Sequence, residues 1–405
     1  TEGADVAVLN TCGFIESAKS EAINSILELA ELKKAGKLKK LLVAGCLTQR
    51  YREEIRTELP EVDGMLGTGS YTDVASAVAE LMEGERPEHF GDIHRTYEDG
   101  ERMVTTPPYT AFLKIAEGCS NGCAFCIIPK LRGRYRSRSM EALVEEARGL
   151  AASGVKELIV IAQDITRYGL DRKDGSTLAK LLDRLCELDF HWIRLHYLYP
   201  EAVTDELIET IARQPKILHY LDIPIQHCND AILKAMRRRN TRAEIEALFA
   251  KLRKAMPDVV LRTSLICGLP GEGGAEFEEL CHFLREQRIQ RAGVFQYSRE
   301  EGTLAAAMEG QVDPDTAARR VELVVDLQSR VMDEYNEERL GTVMEVLCEG
   351  FDSAEGCYTG RTYADSPDID GRVLFTAAGV IPAGTFVNVR ITGMSDGDLT
   401  GEIEE

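Results

Sequence analysis

The chain has 405 residues, 44% hydrophobic and 29% charged, which is typical of a globular protein with two or three domains. No apolar run reaches the ~18 residues that a membrane span needs, so we expect no membrane partner. The net charge of −20, from 68 acidic and 48 basic side chains, argues against nucleic-acid binding, because phosphate contacts require a basic surface.

The first segment, 1–85, alternates apolar strands with amphipathic helices. We predict strands over 4–12, 38–46 and 64–67, and helices over 16–32, 49–58 and 71–83. This order predicts an α/β fold that begins with an N-terminal parallel βα domain. The polar segment that follows, 86–110, is predicted to be a linker.

The central segment, 111–312, repeats a strand–helix unit six times. The predicted strands are 111–117, 156–163, 191–198, 219–225, 259–268 and 291–297. The predicted helices are 139–153, 176–188, 204–213, 242–256 and 274–288. Six units are too few for a closed eight-stranded barrel, so we predict a partial (βα)6 barrel with its chemistry at the carboxyl ends of the strands.

The C-terminal part of the chain changes character. A long amphipathic helix is predicted over 313–340. Short alternating runs separated by Gly and Asp then predict a small antiparallel β-barrel or sandwich over 341–405. This last segment carries 12 acidic and 3 basic side chains, a net charge of −9. Its charge favours a basic partner.

Eleven cysteines without an extracellular signature favour a reducing compartment, and we expect a cytoplasmic protein. Cys119, Cys123 and Cys126 lie in KIAEGCSNGCAFCIIP, with the spacing Cys-x3-Cys-x2-Cys. Three thiolates on one loop can hold three irons of a cubane cluster and leave the fourth iron open for chemistry. The alternative is a structural zinc site, which usually needs paired ligands that this sequence lacks.

Cys12 and Cys46 each end a predicted parallel strand of the first domain. Because the carboxyl ends of parallel strands lie side by side, these two thiols could share a metal or a second cluster. The alternative, which the residues alone leave open, is that both are ordinary buried cysteines. A cluster would need at least one further thiolate.

Polar or Gly-rich residues end several strands of the central barrel. They are Gln163, Asp164, Gln226, Gly268 and Gly271. We expect them at the barrel mouth, facing the three-Cys loop. The basic run 130–138 directly after that loop either grips RNA or pairs with acidic groups nearby, and the acidic composition favours local pairing.

With Phe125 before its last Cys, the three-Cys loop resembles the signature of the radical S-adenosylmethionine enzymes. The whole chain resembles the methylthiotransferases of that superfamily, through NTCGFIESAKSEAI and AGCLTQRY near its start. The resemblance implies a 4Fe–4S cluster on Cys119, Cys123 and Cys126 that binds S-adenosylmethionine. It implies a second 4Fe–4S cluster on Cys12, Cys46 and an earlier Cys. Since the chain begins at Thr1, we expect an N-terminal truncation that removed this third ligand.

Within the family, HYLYPEAVTDELIE, YLDIPIQHCNDAILKAMRR and YTGRTYADSPDIDGRV resemble the RimO group, and 341–405 resembles its TRAM domain. The resemblance implies methylthio transfer to the β-carbon of an aspartate on small-subunit ribosomal protein twelve. The cofactor's radical, rather than a catalytic side chain, would carry the reaction. Phe125, Gln163, Asp164, Gln226, Gly268 and Gly271 would contact S-adenosylmethionine.

The expected partners are therefore a basic ribosomal protein, an external electron donor and a sulfur donor, with tRNA disfavoured. One alternative is a methylthiotransferase that modifies an adenosine of tRNA. Another is an iron–sulfur binding module without catalytic activity.

Overall fold

The computed structural model describes residues 3–95 and 103–404, which form two compact units. The first unit contains 3–95, Glu117–Arg136 and Ser298–Met308, and the second contains 103–116, Ser137–Tyr297 and 309–404. Each unit draws on several predicted segments, so the five domain limits stay a prediction. Among the described residues, no helix combines the length and apolar character needed to cross a membrane.

A four-stranded parallel sheet organises the first unit. Its neighbouring strands, in chain order, are β1 (Val6–Thr11), β2 (Lys40–Gly45), β3 (Gly64–Leu66) and β4 (Glu88–His89). The helices are α1 (Glu16–Lys34), α2 (Cys46–Arg50), α3 (Arg52–Glu58), a 3-10 turn (Tyr71–Asp73) and α4 (Val74–Met82). The predicted parallel βα domain is confirmed.

The central strand β2 is buried on both faces. Leu41 and Val43 pack with residues of α1 and α3, whereas Leu42 and Ala44 pack on the opposite face with residues of α4. A continuous apolar run is what a parallel strand covered on both sides requires.

Two residues of the segment predicted to be a linker belong to this sheet instead. Glu88 and His89 form β4 and pair with Met65 and Leu66 of β3. A two-residue strand is too short to show the alternation of apolar and polar residues that indicates a strand. Its two polar side chains also give no sign of pairing in a sheet. Hydrogen bonds from Arg56 and Arg52 hold the pKa of Glu88 at about 2, even though partial burial opposes this. Part of the predicted linker, 96–102, lies outside the described residues.

The second unit is organised by an open, six-stranded parallel sheet, which agrees with the predicted partial barrel. In chain order, the strands of this sheet are β5 (Thr110–Lys114), β8 (Glu157–Ile161), β9 (Trp192–Leu195), β10 (Ile217–Asp222), β11 (Val260–Cys267) and β12 (Arg291–Gln296). Two short strands that follow β5 in the chain, β6 (Ala116–Glu117) and β7 (Arg136–Ser137), form a separate two-stranded sheet. The sheet order is β12-β11-β10-β9-β8-β5.

The remaining helices connect these strands or follow the last of them. They are α5 (Ile128–Arg132, in the first unit), α6 (Met140–Ala152), α7 (Leu178–Cys186), α8 (Asp205–Arg213), α9 (Asp230–Ala235), α10 (Arg242–Ala255), α11 (Gly274–Gln287) and α12 (Pro314–Glu337), with 3-10 turns at Pro200–Ala202 and Ala305–Ala307. The hydroxyls of Ser139, Thr177 and Thr204 accept hydrogen bonds from backbone N–H groups at the starts of α6, α7 and α8. Such caps explain why the predicted starts agree with the observed ones.

The C-terminal segment forms a closed five-stranded barrel. Its strands are β13 (Val343–Asp352), β14 (Cys357–Arg361), β15 (Val373–Thr376), β16 (Phe386–Ser395) and β17 (Asp398–Ile403). The predicted antiparallel β-barrel is confirmed with one exception, because β15 and β17 pair in parallel. Strand direction cannot alternate all the way around a ring with an odd number of strands.

A buried ion cluster joins this small barrel to the six-stranded sheet. Glu157 of β8 is completely buried, and its carboxylate accepts hydrogen bonds from Arg194 Nε at 2.8 Å and Arg361 Nη2 at 2.6 Å. Burial alone would raise the pKa of Glu157, but the two guanidiniums hold it at about 2. Arg361 lies on β14, so the carboxylate ties the two sheets together.

We predict that Glu157→Gln lowers the free energy of unfolding by about 3–5 kcal/mol, because it removes the countercharge of buried Arg194 and one of the two carboxylates that pair with buried Arg361. Urea denaturation at neutral pH measures the change. The matched control is Glu145→Gln, which removes the exposed partner of Arg148 on α6. That change should cost less than about 1 kcal/mol. Equal effects of the two substitutions would contradict the proposed importance of the buried cluster.

Candidate active site

Cys12 and Cys46 lie next to each other at the carboxyl edge of the N-terminal sheet. The parallel register of β1 and β2 pairs Thr11 with Gly45, and the two cysteines follow directly. Cys46 is buried, whereas Cys12 is exposed. A side chain on Gly13 would place its Cβ 2.9 Å from the backbone of Cys46 and Leu47, so only glycine permits this approach. The expected proximity is therefore present.

The environment of the Cys46 thiol contains opposing electrostatic effects. Burial raises the pKa of Cys46, and the charge and hydrogen bond of Arg132 act in the opposite direction. The neighbouring Cys12 adds a smaller effect that raises the same pKa. Arg132 is thus the cation that favours the thiolate form of Cys46, which is the form that binds metals.

The three-Cys loop belongs to the same unit as this pair. Cys119 and Cys123 are buried and Cys126 is half-buried. The loop is closed by hydrogen bonds from the Cys119 N–H to the Gly133 carbonyl and from the Cys126 N–H to the Cys123 carbonyl, both at 3.1 Å. Three thiols are thereby held on one short, constrained stretch of backbone.

Gly118, directly before the first Cys of the loop, has a backbone φ of +74°. A Cβ there would lie 2.3 Å from the carbonyl oxygen of Arg134. Both observations require glycine at this position.

The donor set fits an iron–sulfur cluster better than a zinc ion. A zinc site needs its ligands around a single ion, whereas a cubane spreads its thiolates over different irons. Three thiols spaced along one loop suit the second arrangement. Phe125 is half-buried within this loop.

The short helix α5 brings the two sets of cysteines together inside the first unit. Cys46 packs with Ile127, which directly precedes the helix, and with Leu131 in its last turn. The Thr68 hydroxyl, at the end of β3, donates a hydrogen bond to the Leu131 carbonyl. This helix was not predicted from the sequence, because its five residues are too few for a periodic signal.

The basic run after the loop is used mainly for local contacts. Arg132 pairs with Glu117 at 3.2 Å, Arg138 pairs with Glu146 at 2.7 Å, and Arg136 donates to the carbonyls of Arg95 and Arg132 at 3.1 Å. These contacts support the local interpretation over RNA binding.

At the end of β8, Gln163 and Asp164 differ in their surroundings. The buried Oε1 of Gln163 has no hydrogen-bond partner among the described residues, as expected of a group that awaits a ligand. The Asp164 carboxylate instead accepts hydrogen bonds from the Thr166 N–H at 3.0 Å and from Arg167 Nε at 3.1 Å. Asp164 therefore stabilises its own loop, and its contact with a cofactor stays a prediction.

The segments that follow β9 and β10 carry non-glycine residues in the left-handed region. Gln226 has a φ of +71° and forms an isolated bridge with Leu265, and Tyr197 has a φ of +65°. Such conformations are costly and cluster at functional sites. Tyr197 belongs to the segment HYLYPEAVTDELIE, but its left-handed backbone could not be predicted, because a Tyr has no preference for that conformation.

The two glycines after β11 have different surroundings. Gly268 has a φ of +84°, and a Cβ there would lie 2.4 Å from Cβ of Ala317 on α12, so helix packing already explains this residue. A Cβ at Gly271 would meet only Ile232 Cδ1, at 3.8 Å, which leaves open space for a ligand. The predicted cofactor contacts of both glycines stay predictions.

Comparison with solved structures agrees with the fold. The radical S-adenosylmethionine methyltransferase TsrM of Kitasatospora setae has a TM-score of 0.55 and 13% sequence identity, covering 72% of this chain and 62% of that chain. At this identity the similarity concerns the fold alone.

Domain families match the three parts of the chain. The Radical SAM superfamily matches residues 113–284, the TRAM domain matches 340–403, and the Uncharacterized protein family UPF0004 matches 1–67. The three-Cys loop falls within the first match, and Cys12 and Cys46 fall within the last. Membership of the Radical SAM superfamily implies a 4Fe–4S cluster and S-adenosylmethionine as cofactors.

Two curated relatives are similar over nearly the whole chain. The ribosomal protein uS12 methylthiotransferase RimO of Lachnoclostridium phytofermentans is 48% identical over 403 residues, covering 99% of this chain and 92% of that protein. The protein of the same name from Geobacter sulfurreducens is 47% identical and covers 99% of this chain and 90% of its own length. The chain therefore belongs to the RimO family of radical S-adenosylmethionine methylthiotransferases.

Proposed function

We propose that the chain adds a methylthio group to the β-carbon of an aspartate on ribosomal protein uS12. Its family membership supports this reaction. The observation that carries the proposal is the arrangement of the first unit, where the buried Cys46 packs against α5, the helix that follows the three-Cys loop. Sulfur insertion needs a radical source and a sulfur source close to each other, and this arrangement suits that need.

In this proposal Cys119, Cys123 and Cys126 hold one 4Fe–4S cluster, and Cys12 and Cys46 supply two thiolates of a second. When bound with S-adenosylmethionine, the first cluster supplies the one-electron chemistry that can break an unactivated C–H bond. No side chain of the protein is assigned as acid or base, because the β-hydrogen of an aspartate is not acidic enough for one.

The side chains of the protein bind and orient these groups and limit access of water. Burial of Cys119 and Cys123 shields two thiolates from solvent. The unpaired Oε1 of Gln163 can accept a hydrogen bond from the amino or hydroxyl groups of S-adenosylmethionine. The open space at Gly271 allows a flat ring to approach the backbone.

The C-terminal barrel favours a protein substrate over RNA. All three basic side chains of residues 341–405 are engaged by carboxylates. Arg361 is buried with Glu157, Arg372 Nε pairs with Asp398 at 2.9 Å, and Arg390 Nε pairs with Glu404 at 2.6 Å. Exposed acids, among them Glu355 and Glu402, remain on the surface and suit a basic ribosomal protein.

The reaction also requires partners outside the chain. An external donor must supply electrons, and a sulfur donor must replace the sulfur that each turnover transfers. We propose no identity for either.

We predict that Cys123→Ala abolishes reductive cleavage of S-adenosylmethionine to 5′-deoxyadenosine, because it removes one thiolate of the first cluster. Chromatographic quantification of deoxyadenosine after reconstitution with iron and sulfide measures the effect. The control is Cys357→Ala on β14, a half-buried Cys outside both sets, which should retain the activity. Deoxyadenosine formation by Cys123→Ala at the rate of the parent protein would refute the assignment.

We further predict that the protein binds uS12 more tightly than bulk tRNA, and that this binding weakens as salt rises, because the acidic barrel attracts a basic protein. Fluorescence anisotropy at several salt concentrations measures both affinities. Replacing Glu355 and Glu402 together with Gln should weaken uS12 binding without weakening tRNA binding. Tight, salt-sensitive tRNA binding would instead favour the tRNA methylthiotransferase alternative.

A further inference from the structure

A groove of about 330 Å³ lies on the first unit, between α1 and the helices α2 and α3. Its floor is apolar and is formed by Leu47 of α2, Ile55 of α3 and Leu59, which directly follows α3. Ile23 of α1 is 37% exposed and forms one wall, and Tyr51 also lines the groove. The first unit therefore presents an apolar surface that is open to a ligand.

Carboxylates surround this apolar surface. Glu16, at the start of α1, and Glu54 and Glu58, on α3, line the groove and are exposed, and we call these three residues the rim. The one basic lining residue, Lys19, is held by carboxylates, because its Nζ lies 2.7 Å from Glu16 and 3.2 Å from the buried Glu300. The groove therefore has an excess of negative charge.

The groove also adjoins the backbone segments that carry Cys12 and Cys46. Leu47 directly follows Cys46, and a Cβ on Gly13 would lie 2.9 Å from the Cα of Leu47. Glu16 follows Cys12 by four residues. A molecule bound in the groove is thus held beside the chain segments that position both thiols.

We propose that this groove binds a short segment of the protein substrate, in which an apolar side chain is flanked by Lys or Arg. This inference rests on the proposed function, which makes the basic ribosomal protein uS12 the substrate. The floor buries the apolar side chain, and the rim attracts the flanking cations. The groove thereby adds a second contact surface for uS12, on the unit that contains the five candidate cluster cysteines.

The charge and size of the groove favour this occupant over others. The rim repels the phosphates of a nucleic acid and any partner with an acidic surface. It also disfavours a second copy of this chain, which has a net charge of −20. A volume of about 330 Å³ is at the small end of the range for ligand pockets, which suits one or two side chains of a peptide.

The first part of the test removes charge from the rim. Binding of fluorescently labelled uS12 to the full chain is measured by anisotropy at several salt concentrations. Replacing Glu54 and Glu58 together with Gln should weaken binding at low salt by roughly 3- to 10-fold and make it less sensitive to salt. The matched control replaces Glu83 and Glu85, which are exposed outside the groove in the same unit, with Gln. It should change the affinity by less than about twofold.

The second part of the test removes apolar surface without changing charge. Ile23→Asn should weaken uS12 binding by roughly 3- to 10-fold at every salt concentration, because a lost apolar contact is not screened by salt. The control is Met82→Asn on α4, since Met82 is 51% exposed and lies outside the groove. This control should bind uS12 as the unmodified protein does.

Circular dichroism confirms that each variant is folded. The inference is overturned if the groove variants bind uS12 with the affinity and salt dependence of their controls. A self-association that only the groove variants lose, measured by sedimentation velocity, would assign the groove to a second copy of the chain and also overturn it. Absence of uS12 binding by the unmodified protein would refute the proposed substrate together with this inference. Normal uS12 binding by the groove variants would refute this inference alone.

Discussion

The carboxyl ends of all strands in a parallel β-sheet lie at the same edge, and the arrangement of the cysteines depends on this constraint. Cys12 and Cys46 are 34 positions apart in sequence, yet the register that pairs Thr11 with Gly45 makes them neighbours. Gly13 lets the two backbones approach. The central sheet follows the same rule and places Gln163, Tyr197 and Gln226 after successive strands.

Buried charge joins elements that the chain topology alone would leave separate. Glu157 fixes the C-terminal barrel on the central sheet through Arg194 and Arg361. Arg132 joins the ends of the three-Cys loop through Glu117, and its charge favours the thiolate form of Cys46. In both cases one charged group serves more than one partner, so losing the shared group would disturb several contacts at once. Because the arginines of the small barrel are held in ion pairs, its exposed carboxylates can attract a basic partner.

Much of the architecture could be predicted because it depends on periodicity and strand-end geometry. The parallel sheets, the small barrel and the proximity of Cys12 to Cys46 are of this kind. Other features could not be predicted, since tertiary contacts create them. The strand at Glu88 is stabilised by arginines of α3, α5 is too short to show a period, and Gly268 is required by Ala317 of a distant helix. None of these features produces a pattern in the sequence from which it could be predicted.

Methylthio transfer to an aspartate of uS12 is the central claim, and mass spectrometry of the reaction products tests it most directly. The reconstituted protein is supplied with S-adenosylmethionine, a reductant, sulfide, uS12 and bulk tRNA in one mixture. We expect one added methylthio group on an aspartate-containing peptide of uS12 and none on tRNA nucleosides. A methylthio group on adenosine, with uS12 unmodified, would contradict the claim.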